Sequence, residues 1–121
     1  TDNGGPLKVE VLEYVKNRPN IKITYKGSTD STIGIIGSHM DGVTAGPGIN
    51  DNGSGTATNL EMALSLARLM SRGAITLTNQ VRFCWWGAEE EGLVGSHWYV
   101  DHLSDTEISR IALNLNYDMV G

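Results

Sequence analysis

The sequence has few of the features that mark several large classes of protein. Cys84 is its only cysteine, so a disulfide framework is excluded. Lysine and arginine together number 9 against 14 aspartates and glutamates, a net charge of −5, and no basic stripe could neutralise nucleic-acid phosphates. No apolar run approaches the length of a membrane span, which argues against a helix that crosses a bilayer.

The length and composition that remain are those of one small globular domain. The 121 residues are 40% apolar, which argues against a disordered chain and allows a core of modest size. Hydrophobic spacing predicts strands at residues 21–26, 32–37, 80–86 and 111–117. It predicts helices at residues 6–17, 55–72 and 94–102, and a capping box at 104–107 opens another short helix.

This alternation of strands and helices predicts an α/β fold. We expect a three-layer α/β/α arrangement around a mixed, mostly parallel sheet, with residues 1–121 forming a single domain. The helix at residues 55–72 is apolar nearly all round, so we expect most of its surface to be buried.

Acidic side chains and one histidine follow the ends of successive predicted strands. They are His39 and Asp41, Asp51 in a glycine-rich loop, Glu89 and Glu90, and Asp118. Because ligands bind at the carboxyl edge of an open α/β sheet, we expect these side chains to lie close together. Imidazole and carboxylate are the usual non-thiolate ligands of zinc, so the set predicts a divalent-metal site.

The same residues suit hydrolysis assisted by a metal ion. Such a site needs ligands that leave a position for water and a carboxylate that accepts the water's proton. Neighbouring side chains such as Glu89 and Glu90 point differently, so one can bind metal while the other faces the water. Asp51 can bridge two cations, and Asp41 can accept the second N–H of His39 and orient its ring.

Four stretches together resemble one enzyme family. GSHMDGV, GINDNGSGTATNLEMAL, FCWWGAEEEGLVGS and LNYDMVG are similar, in this order and at compatible spacing, to the co-catalytic di-zinc aminopeptidases. The family includes vacuolar aminopeptidase Y and secreted bacterial leucyl aminopeptidases, and the resemblance covers nearly everything from about Ile33 to Gly121. It implies a zinc-exopeptidase-like fold, two zinc ions in a complete site, and removal of hydrophobic, leucine-type residues from peptides with a free N-terminus.

The resemblance also implies a role for each residue of the set. Glu89 is then the general base, and Asp41 orients the histidine. The implied metal ligands are His39 and Asp118 for the first metal, Glu90 for the second, and Asp51 as the bridge. The peptide bond after the bridging aspartate, here Asp51–Asn52, is often strained or cis in the family. Glu91 occupies a variable position and is expected to lie outside the ligand set.

One ligand of the family pattern has no counterpart here. The family supplies a second histidine well after the final aspartate, whereas this sequence stops at Gly121, three residues past Asp118. His97 and His102 precede that point on a predicted helix, and we expect both at the surface. We therefore expect an incomplete catalytic domain that binds one zinc ion, or none, tightly.

Other notable residues are expected to be structural. Cys84 is interpreted as a small buried apolar residue rather than a nucleophile. We assign the aromatic residues of the third predicted strand, Phe83, Trp85 and Trp86, to the core. We expect Asn52 and Asn116 to support neighbouring ligands.

Other functions stay open beside the aminopeptidase. A carboxypeptidase of the same clan would hold substrate carboxylates with basic residues, which the motif loops lack. A glutaminyl-cyclase-like enzyme uses a similar site with one zinc. The chain could also be an inactive metal-binding fragment or an interaction module, as in transferrin-receptor ectodomains.

The resemblance implies an extracellular or vacuolar location, although this stretch carries no signal-peptide pattern. The sequence leaves the oligomeric state open.

Overall fold

A five-stranded mixed sheet organises the chain in a computed structural model that describes residues 7–14, 16–29 and 31–121. The strands are β1 (Leu7–Leu12), β2 (Asn20–Tyr25), β3 (Ile33–His39), β4 (Gln80–Trp86) and β5 (Ile111–Asn116). The helices are α1 (Gly55–Ser71), α2 (Val94–Asp101) and α3 (Asp105–Arg110). Two short irregular turns, Ile49–Ser54 and Glu89–Glu91, precede α1 and α2. Within the described ranges, no helix has the length and apolar character that a membrane crossing requires.

The strand order β1-β2-β4-β3-β5 places the parallel pairings in one half of the sheet. Strand β3 pairs in parallel with both β4 and β5, whereas β2 pairs antiparallel with both β1 and β4. The carboxyl ends of β4, β3 and β5 therefore meet at one edge. The connection after β3 passes through α1 and the connection after β4 passes through α2, which leaves a crevice between the two loops.

Side-chain alternation along β4 divides the core between the two faces of the sheet. Phe83 and Trp85 pack with Tyr25 and with Ala63 of α1 on one face. Cys84 packs on the other face, in a cluster completed by Ile33, Ile35 and Tyr99 of α2. Helices thus cover both faces, and the predicted three-layer α/β/α fold around a mixed sheet is confirmed. The sheet is less parallel than predicted, because the pairings between described strands are two parallel and two antiparallel.

The predicted helix over residues 6–17 is wrong where the structure describes it. Leu7–Leu12 is instead the edge strand β1, with Leu7 opposite Tyr25 and Leu12 opposite Asn20. Leu7, Val9 and Val11 alternate with charged residues, and β-branched side chains favour a strand. The hydrophobic spacing of this short segment fits both a helix and a strand, and pairing with the edge of β2 selects the strand. Residues 6 and 15 lie outside the described ranges.

The expectation that α1 is mostly buried is also wrong. Gly55, Asn59 and Ala63 are buried against the sheet, whereas Leu60 and Leu64 are 45% and 46% exposed. The sheet covers only one stripe of the helix, and no second layer packs on its outer side within the described part of the chain.

Removing one methylene from the core should cost far more than the same change at the surface. Ile33 is fully buried, so Ile33→Val should lower the free energy of unfolding by about 0.5–1.5 kcal/mol. Ile108, which is 44% exposed on α3, is the matched control, and Ile108→Val should change it by less than about 0.5 kcal/mol. Urea unfolding followed by circular dichroism measures both, and equal losses would contradict this description of the core.

Candidate metal centre

The structure brings the predicted site residues to the edge where the parallel strands end. His39 is the last residue of β3, Asp41 follows it, and Asp118 comes two residues after β5. Asp51 lies in the irregular turn before α1, and Glu89 and Glu90 form the short turn after β4. The Asp51–Asn52 peptide bond is cis, as the resemblance implies.

His39 is the centre of the cluster. Its side chain is 3% exposed, and its Nε2 atom lies 3.2 Å from Asp51 Oδ1, 3.4 Å from Asp118 Oδ1 and 3.8 Å from Glu89 Oε2. Its Nδ1 atom lies 3.3 Å from Asp41 Oδ1. A proton held on Nδ1 by Asp41 leaves the Nε2 lone pair facing the carboxylates. This carboxylate–histidine arrangement is the one that orients metal-binding imidazoles.

Two buried polar atoms at this edge have no hydrogen-bond partner. They are His39 Nε2 and Glu90 Oε1. An unsatisfied buried donor or acceptor costs about 1–3 kcal/mol, so such atoms are rare unless they serve another purpose. A cation between the side chains would satisfy both atoms, and imidazole with carboxylate is a donor set that fits zinc.

The ligand atoms form two groups that share the histidine. One group is His39, Asp51 and Asp118, and the other is His39, Glu89 and Glu90, with the ligand atoms of each group within 4.8 Å of one another. Each group offers three donors. A divalent cation at either would keep an open position for water or substrate.

Two side chains of the cluster, His39 and Glu90, have pKa values above their ordinary values. Burial by itself would lower the pKa of His39, but Glu89, Asp118 and Asp41 outweigh it and raise that pKa above its ordinary value. Burial, followed by repulsion from Asp51 and Glu89, raises the pKa of Glu90. Negative charge gathered at one edge of the sheet contributes to both shifts, and a divalent cation would balance that charge.

Asp41 makes two backbone contacts that the sequence does not predict. Besides facing His39, its carboxylate accepts hydrogen bonds from the backbone N–H of Glu89 at 3.0 Å and of Glu90 at 3.1 Å. It therefore ties the loop after β3 to the loop after β4. No local pattern reveals this contact, because the partners are 48 and 49 residues apart in the sequence.

The buried side chain of Asn52 links three segments of the site, as expected of a supporting residue. Its Nδ2 group donates to the carbonyls of His39 and Tyr117, both at 3.0 Å. Its Oδ1 atom accepts from the backbone N–H of Gly55 at 3.0 Å and of Met119 at 3.2 Å. Asn52 thus fixes the backbone beside the first metal group.

The expectation for the second asparagine is wrong. Asn116 is exposed at the end of the edge strand β5, and its side chain makes no hydrogen bond within the described part of the chain. β5 is an edge strand of the sheet in the described part of the chain, and the Asn116 side chain is exposed there.

The structure agrees with the expectations for residues outside the ligand set. Glu91 belongs to neither ligand group and pairs with Arg18 at 3.0 Å. His97 and His102 are exposed on and just after α2. Cys84 is fully buried, and burial raises the pKa of its thiol to about 12, which is typical of a structural cysteine rather than of a nucleophile.

Comparison with known proteins agrees with this architecture. Residues 20–121 match the sequence profile of peptidase family M28. An aminopeptidase of Pseudomonas aeruginosa is 44% identical over 115 residues, which are 95% of this chain and 20% of that protein. Leucine aminopeptidase 2 of Trichophyton equinum is 43% identical over 117 residues, 95% of this chain and 22% of that protein.

A solved structure has the same fold. A zinc aminopeptidase from Bacillus subtilis superposes with a TM-score of 0.76 at 43% identity, over 85% of this chain and 24% of that one. The chain therefore spans about a fifth to a quarter of the length of the relatives it matches.

A zinc ion held by the cluster should stabilise the chain through His39. At a free zinc concentration 100 times the dissociation constant, binding adds about 2.7 kcal/mol to the free energy of unfolding and raises the melting temperature. His39→Ala should abolish this rise. His97→Ala, a matched change at an exposed histidine, should retain it. Thermal unfolding with and without Zn²⁺ measures the effect, and an undiminished rise in His39→Ala would place the zinc elsewhere.

Proposed function

Because this chain belongs to peptidase family M28, we propose that it carries the metal centre of a zinc-dependent aminopeptidase. The observation that carries the proposal is the unpartnered Nε2 atom of His39, buried among carboxylates from three different loops. The substrate would be a peptide with a free N-terminus and a hydrophobic, leucine-type first residue. Relatives named aminopeptidase and leucine aminopeptidase support this choice.

Each carboxylate receives a role that its position supports. We assign His39 and Asp118 to the first metal, Glu90 to the second, and Asp51 to the bridge between them. Asp51 Oδ1 and Asp118 Oδ1 approach the same imidazole nitrogen, which supports a shared first metal. Glu90 brings its unpartnered Oε1 atom from the opposite loop, which supports a second metal position. A complete site of this kind would hold two zinc ions.

Glu89 is the residue that we propose as the general base. Zinc supplies Lewis acidity toward the substrate carbonyl and toward water. Glu89 Oε2 lies 3.8 Å from His39 Nε2, which places its carboxylate beside the ligands. There Glu89 would accept the proton of the attacking water and deliver it to the leaving amine. Asp41 holds both the imidazole of His39 and the backbone N–H of Glu89, so one carboxylate aligns base and ligand.

The chain covers only part of the length of the enzymes it matches. We propose that residues 1–121 form part of one catalytic domain, with a further ligand for the second metal supplied by other residues of the complete domain. The share of its relatives that the chain covers supports this, at 20–24% of their length. An extracellular or vacuolar location is proposed from the family resemblance alone.

Replacing the proposed base should separate catalysis from metal binding. In the full-length protein, Glu89→Gln should lower kcat for leucine p-nitroanilide by about 10²–10⁴-fold, because the water would lose its proton acceptor. The zinc content should stay unchanged. Kinetic assays together with metal analysis of the purified variants measure the two quantities.

Glu91→Gln is the matched control, because Glu91 lies in the same loop and pairs with Arg18 on the outside. Its kcat should stay within about twofold of the unchanged protein, as expected for an exposed ion pair. Normal turnover in Glu89→Gln would contradict the assignment of the base. Cleavage of C-terminal residues, or cyclisation of N-terminal glutamine, in place of leucine release would favour the carboxypeptidase or glutaminyl-cyclase alternative.

A further inference from the structure

Asn20, outside the cluster of acidic residues, fastens both ends of the loop that presents the two glutamates. We call residues 87–95, between β4 and α2, the glutamate loop. The backbone N–H of Gly87 donates to Asn20 Oδ1 at 2.9 Å, and Asn20 Nδ2 donates to the carbonyl of Gly95 at 2.9 Å. The backbone N–H of Gly95 also donates to the carbonyl of Gly87 at 3.0 Å. The Asn20 side chain is fully buried.

The topology of the sheet places Asn20 there. Strand β2 runs antiparallel to β4, with Ile21 opposite Trp85, so the first residue of β2 lies beside the end of β4. The side-chain amide of Asn20 then satisfies backbone groups that have left the β4 ladder. Together with the Tyr14 hydroxyl, which donates to the carbonyl of Gly87 at 3.1 Å, the Asn20 side chain holds the base of the glutamate loop.

The packing at this base leaves no space for larger residues. A Cβ atom on Gly87 would lie 2.6 Å from the carbonyl oxygen of Pro19, and one on Gly95 would meet Asn20 Oδ1 and the carbonyl oxygen of Gly87. The two glycines therefore allow the close approach on which the amide hydrogen bonds depend.

The loop between the glycines has a conformation that its sequence does not favour. Ala88 and Leu93 are both in the left-handed region, with φ of 55° and 59°. Residues other than glycine adopt this region only where surrounding contacts enforce it. Asn20 supplies such contacts at the base, and Asp41 supplies them where its carboxylate holds the backbone N–H groups of Glu89 and Glu90.

We propose that Asn20 is a positioning residue, which sets the places of Glu89 and Glu90 relative to His39 by holding the base of the glutamate loop. The inference rests on the proposed function, because that function assigns Glu90 to the second metal and makes Glu89 the general base. The hydrogen bonds of the Asn20 side chain go to the backbone of Gly87 and Gly95, so it would act on the glutamates through the loop. Without it, the loop would lose the hydrogen bonds at its base, and the Asp41 carboxylate would still hold the backbone N–H groups of Glu89 and Glu90.

The test compares Asn20→Ala with a control that also removes a buried polar side chain. Gln80 is the control, because it is 7% exposed at the opposite end of the sheet, where its Oε1 atom accepts from Arg82 Nε at 2.7 Å. Both variants of the full-length protein are titrated with Co²⁺, whose visible absorption reports the geometry of its ligands. Both are then assayed for kcat and KM with leucine p-nitroanilide, at a temperature where circular dichroism shows them folded.

We expect Asn20→Ala to weaken Co²⁺ binding about 10- to 100-fold, to alter the absorption spectrum, and to lower kcat more than it raises KM. Gln80→Ala should lose stability and keep the spectrum and kcat of the unchanged protein. If Asn20→Ala does not fold, Asn20→Ser replaces it with the same expectation, since a hydroxyl leaves one polar atom in the buried position.

A Co²⁺ spectrum, affinity and kcat in the Asn20 variant equal to those of Gln80→Ala would overturn the inference. Failure of the proposed function would look different. In that case the unchanged protein would release no leucine, while the Asn20 variant would still show the weakened Co²⁺ binding. Absence of Co²⁺ binding by the unchanged protein would overturn both.

Discussion

The site depends on the hydrogen-bonded register of β3 between its two parallel neighbours. His39 lies opposite Trp86 of β4, and Gly37 lies opposite Asn116 of β5. The pairing continues past the strands, because the backbone N–H of Met40 donates to the carbonyl of Trp86 at 2.9 Å. This register brings residues from distant parts of the sequence to one edge. A shift of one position would turn His39 to the other face of the sheet and disperse the cluster.

Neutral amides hold the acidic loops in place. Asn52 bonds the backbone beside the first metal group, and Asn20 bonds the glutamate loop. Both side chains are buried, and neither brings a charge. An amide can donate and accept at once, so it satisfies backbone groups where strands end without adding to the carboxylate repulsion. The charge at the edge is left for a cation to balance.

Much of this organisation follows from the sequence, because short apolar runs and the polar residues after them are local signals. The bounds of β4 and the start of α1 come from such runs, and so does the placing of His39, Glu89 and Asp118 at strand ends. The errors occur where tertiary contacts decide. The hydrophobic spacing of residues 7–12 fits a helix or a strand, and pairing with the edge of β2 selects the strand. The exposure of α1 depends on which layers of the fold cover it. Asn20 gives no signal at all, because its partners are 67 and 75 residues away.

The central claim is that zinc binds at the strand ends through His39 Nε2, and anomalous diffraction at the zinc absorption edge from zinc-soaked crystals tests it most directly. The account predicts a peak about 2.0–2.1 Å from His39 Nε2 and about 2.0–2.2 Å from carboxylate oxygens of Asp51 and Asp118. A second peak about 3.5–4 Å away, beside Glu90, would mark the second metal position. Zinc bound only at exposed side chains such as His97, with no peak at His39, would contradict the account.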